Sequence, residues 1–159
     1  MTPKPPSRRG GATVGLLADL PPLEAGAVRF FRFWFSGAEA RADLQDAFCQ
    51  ALGPGAAESA YESFGMLCDF CVTHGRRPLV RHGMTCSCLG ADENCFANLV
   101  AAATQGDAAD ADLLASLIVA PHQAQTLSTL AAQSGLFLQH LTGGLPSRQP
   151  YRPATALLH

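Results

Sequence analysis

Charge is scarce in this sequence. Asp, Glu, Lys and Arg make up 15% of the residues and sum to −2. A dedicated nucleic-acid binder carries a marked basic excess, so no nucleic-acid partner is expected. Low charge does not mean disorder here, because 48% of the residues are apolar, enough to support a packed core. Long apolar runs are also missing. The richest, "LIVA" and "FANLVAAA", fall far short of the roughly 20 residues that a membrane helix needs, so no membrane span is expected. β-Branched residues are sparse and alanine is abundant, which favours helix over sheet. The glycine-rich phosphate loops GxGxxG and GxxxxGK[ST] do not occur, and neither do HExxH or a nucleophile elbow.

What is present is cysteine, six in 159 residues. The apolar stretch near the start is too short for a signal-peptide core and is cut by Pro21 and Pro22. A cytoplasmic protein is therefore expected, with its thiols reduced. They then read as core residues, metal ligands or redox thiols rather than as disulfides.

The chain length suits one domain. Residues 1–12 are rich in Pro, Gly and basic side chains and read as a flexible tail. Residues 13–143 read as a single all-α domain, a bundle of about six helices, and 144–159 as an extended, proline-punctuated tail. The first helix opens at Pro21–Pro22 and runs to about Phe35. It contains "RFFRFWF", aromatic around a wide arc, with Arg29 and Arg32 sharing the remaining sector and expected to reach outward. The second helix covers about 38–52, the third about 56–73, the fourth about 92–104 with Asp92 as N-cap, the fifth about 108–120 and the sixth about 123–142. The fifth is expected to bury Leu113, Leu114, Leu117 and Ile118, and to end at Pro121. Short connections between most of them suit antiparallel neighbours.

The long irregular segment, 74–91, holds the chemistry-bearing residues. Such a loop is uncommon in a compact domain without a role. Its end and the start of the fourth helix read "RHGMTCSCLGADENC". Cys86 and Cys88 lie in the loop and Cys95 in the first turn of the next helix. With His82 they supply the four thiolate or imidazole ligands that tetrahedral zinc takes, and Cys68, Cys71 and His74 are alternates. Zinc is thus the one cofactor suggested. Cys68-x-x-Cys71 lies late in a helix with no strand before it, so a thioredoxin-type motif fails on context. Two small apolar residues in a helix core fit better. A reactive thiol is a further reading, since cations and a helix N-terminus lower a thiol pKa, although Asp92 and Glu93 beside Cys95 oppose it there. Finally, "HGRRPLVRH" gathers Arg76, Arg77 and Arg81, which suit bidentate anion binding or pairing with the acidic first turns of the fourth and fifth helices.

These residues point first to a non-enzymatic interaction or regulatory module with a structural Cys/His zinc site. Its partner is expected to be another protein or a second copy of the chain, met through the aromatic first helix. A cysteine-based redox or metal sensor is the alternative, and a small-molecule enzyme with its site at the 74–91 loop is the third reading.

Overall fold

The computed structural model describes residues 9–143. The expectations for 1–8 and 144–159 lie outside the described residues. The remainder forms an all-α, single-domain bundle with six α-helices: α1 (Pro22–Trp34), α2 (Ala38–Leu52), α3 (Pro54–His74), α4 (Ala91–Thr104), α5 (Ala108–Ile118) and α6 (Pro121–Thr142). No described helix is long and apolar enough to cross a membrane.

Proline sets three of the helix starts. Pro22, Pro54 and Pro121 each occupy the first turn, where the missing N–H has no helical partner to lose and φ is already helical. For this reason α3 and α6 begin two residues earlier than the apolar pattern alone indicates. Gly53, with φ +82°, closes α2 and opens α3 in one residue, a backbone state that a side chain would strain. At α4 the sequence expectation needs correction. The N-cap is Gly90, and Asp92 lies inside the first turn.

The core is largely aromatic and leucine. Phe31, Phe48, Phe64, Phe96, Leu44, Leu67, Leu99, Leu127 and Leu138 are all essentially inaccessible. Phe31 of α1 meets Phe96 of α4 at 4.7 Å between ring centroids, and Trp34 meets Tyr61 of α3 at 5.2 Å. Of the aromatic residues of α1 and its edge, Phe31 and Trp34 are buried and Phe30, Phe33 and Phe35 are half-buried against the core. Where α3 passes Trp34 it carries Gly65, whose hydrogen leaves room for the indole ring. In α5 the buried residues are Ala111, Ala115 and Ile118, while Leu113 and Leu117 are each 64% exposed. This corrects the expectation that both leucines are buried.

The bundle also carries a small sheet. Strand β1 (Thr13–Leu16) pairs antiparallel with β2 (Cys88–Gly90), Thr13 opposite Gly90 and Leu16 opposite Cys88, with an irregularity between Thr13 and Gly15. Residues 9–12, read from sequence as tail, are part of the body. Arg9–Gly11 form a 3-10 turn with Gly10 buried, and the Ala12 carbonyl accepts the Ala91 N–H at 2.9 Å. What remains of the irregular segment is 75–87. It begins where Gly75 bridges Val119 and the Arg76 N–H reaches the Ile118 carbonyl.

Candidate functional site

The first turn of α4 is the anchor of the loop. Its two acidic residues point in different directions and bind different groups. Glu93, fully buried, meets Arg32 of α1, which is 1% exposed. Arg32 was expected to reach outward. It turns inward because its sector of α1 faces α4 and the loop, where a carboxylate and two carbonyls accept from it. Its Nε and Nη2 donate to the two carboxylate oxygens of Glu93 at 2.6 and 2.9 Å. Its Nη1 donates to the Cys86 carbonyl at 2.6 Å and its Nη2 also to the Cys88 carbonyl at 2.7 Å. Four of the five guanidinium N–H groups are therefore used. Glu93 also accepts the Gly90 N–H at 3.0 Å and the His82 N–H at 3.3 Å. Burial pushes the Glu93 carboxyl up. The hydrogen bonds from Arg32 and Gly90, with the Arg32 charge, outweigh it and hold Glu93 below the ordinary carboxylate range. A buried pair persists only when most of its remaining donors and acceptors are also met, and here four of the five guanidinium N–H groups and both carboxylate oxygens have partners.

Asp92 serves the outer half of the loop. It accepts both terminal nitrogens of Arg77 at 2.8 and 2.7 Å and the Val80 N–H at 2.7 Å. Of the arginine cluster, Arg77 is the member that pairs with the acidic first turn of α4. Arg76 donates from Nε to the Val119 carbonyl at 3.0 Å, and Arg81 from Nη2 to the Phe35 carbonyl at 2.8 Å.

With both ends tied, the loop brings His82 against Cys86. The ring Nε2 lies 2.9 Å from the Gly11 carbonyl oxygen, and Nδ1 lies 3.7 Å from Cys86 Sγ. A carbonyl can only accept, so Nε2 carries a hydrogen. In the neutral ring Nδ1 is then the acceptor facing the thiol. Gly90 makes this approach possible, since a Cβ there would stand 2.9 Å from Nε2. The Gly11 hydrogen bond raises the His82 pKa despite partial burial, and Cys86 and Glu93 add to the effect. The Cys88 main chain and the His82 ring together hold the Cys86 thiol below its ordinary range.

The other cysteines differ. Cys68 and Cys71 are buried at 0% and 2% exposure, as core residues. Burial pushes Cys68 well above the usual thiol range and Cys71 up to about 12. Cys95 points to α5, its thiol 3.7 Å from the Leu114 carbonyl, and burial with the nearby Asp92 pushes it up to about 11. His74 contacts Gln123 and packs, tilted, against the Phe70 ring. The structure therefore joins His82 with Cys86 and places Cys88 two residues on, but Cys95 faces a different helix. Among the described residues no group of three or more His, Cys, Asp or Glu is arranged to hold a metal ion.

Sequence reasoning missed Arg32, Glu93, Gly11 and Gly90 as members of this site. One signal was readable. Glu93 stands three residues after Gly90, the spacing at which an N3 glutamate reaches back to the N-cap N–H. Comparison with protein-family models, curated proteins and solved structures finds no match to this chain.

Proposed function

We infer that the chain is a non-enzymatic regulatory module whose state is set by oxidation of Cys86. The observation that carries this reading is the His82–Cys86 pair, in which the Gly11 carbonyl fixes the ring so that Nδ1 faces the thiol. Transfer of the thiol proton to Nδ1 gives a thiolate beside an imidazolium, and the thiolate is the reactive form. With hydrogen peroxide, the Cys86 sulfur attacks one oxygen. An S–O bond forms as the O–O bond breaks, and the leaving oxygen takes the proton from the imidazolium. Peroxide is reduced to water and Cys86 is oxidised to a sulfenic acid. The Cys88 thiol then attacks that sulfur, a disulfide forms and a second water leaves.

The output lies in the backbone. Arg32 holds the carbonyls of both Cys86 and Cys88. A disulfide holds its Cα atoms roughly 4.4–6.8 Å apart in a specific dihedral geometry. Bridging Cys86 to Cys88 therefore acts on the backbone between the two carbonyls that Arg32 binds, and through Cys88 on the end of β2.

The test is site-resolved mass spectrometry of the chain after brief peroxide treatment at neutral pH. The expected result is loss of two hydrogens across Cys86 and Cys88 in the native chain. C88S should instead gain one oxygen at Cys86, and H82N should react at least tenfold more slowly. Exposed Cys49 is the internal reference. Oxidation of Cys49 as fast as Cys86 sinks the reading. So does a chain that retains zinc and keeps Cys86 from alkylation, which would favour the metal site expected from sequence.

A further inference from the structure

Beside the loop, on the side of α1 and α3, lies a cavity of about 520 Å³, within the roughly 300–1,000 Å³ common for small-molecule sites. It shares no lining residue with the His82–Cys86 pair. Its apolar lining includes Phe31 and Phe35 from α1 and its edge, Val72 of α3 and Leu79 of the loop, and Arg76, Arg77 and Arg81 complete it. The three arginines are not equivalent. Arg77 is neutralised by Asp92. Arg76 and Arg81 have no carboxylate within 4 Å among the described residues, and each is steadied instead by a main-chain carbonyl. Both terminal nitrogens of Arg76, and Nη1 of Arg81, have no protein hydrogen-bond partner among the described residues. The cavity thus pairs an apolar body with two uncompensated, anchored guanidiniums, a geometry matched to a planar or tetrahedral oxyanion.

We propose that this cavity binds an amphipathic organic anion, its carboxylate or phosphate head on Arg76 and Arg81 and its alkyl or aryl body against Phe35, Val72 and Leu79. The head group supplies orientation and the apolar wall supplies most of the affinity.

Titration calorimetry with the native chain tests this, using decanoate, decyl phosphate, decanol and inorganic phosphate as probes. Saturable binding of decanoate or decyl phosphate is expected, and the tighter of the two assigns the head. Decanol and inorganic phosphate should each bind at least tenfold more weakly, because each lacks one half of the match. The R76A/R81A double variant should lose at least tenfold in affinity. V72E, at a position 66% exposed and so tolerant of substitution, places a negative charge at the lining and should weaken the anions by a similar factor while leaving thermal unfolding near that of the native chain. The proposal is overturned if neither decyl anion binds, if decanol binds as well as decanoate, if inorganic phosphate matches decyl phosphate, or if V72E leaves anion affinity unchanged.

Discussion

At Arg32 a planar five-donor fork meets one carboxylate and two carbonyls, a match that a lysine ammonium cannot reproduce. R32M leaves Glu93 buried without its partner, and such uncompensated charges cost about 3–5 kcal/mol. Urea unfolding of R32M should show a loss of that order. R32M/E93L removes the stranded charge and should recover part of it. Full recovery is not expected, because the N–H groups of Gly90 and His82 lose their acceptor and each unmet group costs about 1–3 kcal/mol. Two carboxylates also make opposite pH predictions. Glu93 titrates below its ordinary value of 4.5 when folded. Its stabilising contribution is therefore complete above pH 4.5 and is lost as pH falls through the folded value, so E93Q should flatten acid destabilisation there. Glu24 is buried with one oxygen unpartnered, and burial raises its pKa above 4.5. As pH climbs past 4.5 the unfolded chain releases this proton first, which favours unfolding. E24Q should accordingly raise the melting temperature at pH 7, with the gain fading as pH drops below 4.5. Melting curves of the two variants across pH 3–7 check both signs.

The helices were legible in the sequence because each carries a 3.6-residue apolar period or ends at a glycine. The identity of the buried residues was less so in α5. With eight apolar residues among its eleven, four of them alanine, that helix offers two possible seams, one through Leu113 and Leu117 and one through Ala111, Ala115 and Ile118. Packing chose the smaller residues, which bring α5 close to α4 and α6. Nothing in a single helical period reports how near its neighbours stand. L117K should thus alter stability by no more than about 0.5 kcal/mol, as at other surface positions, whereas A115L forces an added isopropyl group into a filled seam and should cost about 1–3 kcal/mol. Thermal melts of the two variants decide between the seams. The strands escaped for a related reason. Three or four residues are too few to display alternation, and β1 finds β2 across some seventy residues of chain. The inward turn of Arg32 is of the same kind, since its partners lie 54 to 61 residues away. The local half of the site, His82 near Cys86, was legible. The buried clamp that positions it was not.

On the scale of the whole molecule, three distant segments converge on the first turn of α4: residues 9–16, α1 through Arg32, and the loop 75–87. The two acidic residues there divide the work by burial. Glu93 is sealed in, so its pair is shielded from salt. Arg77, whose side chain is 51% exposed, pairs with Asp92 partly in solvent, and such pairs are screened and contribute about 0–1 kcal/mol. R77A should therefore scarcely move the unfolding midpoint. D92A does more, because it also removes the acceptor of the Val80 N–H. If Asp92 orders the outer half of the loop, hydrogen exchange in D92A should quicken at amides 76–82 while the buried amides of α3 and α6 keep native protection. Faster exchange throughout α3 and α6 would mean instead that the bundle depends on the loop. Unchanged exchange at 76–82 would mean that the bridge from Gly75 to Val119 and the Glu93 clamp hold the loop from its two ends, with Asp92 adding nothing between them.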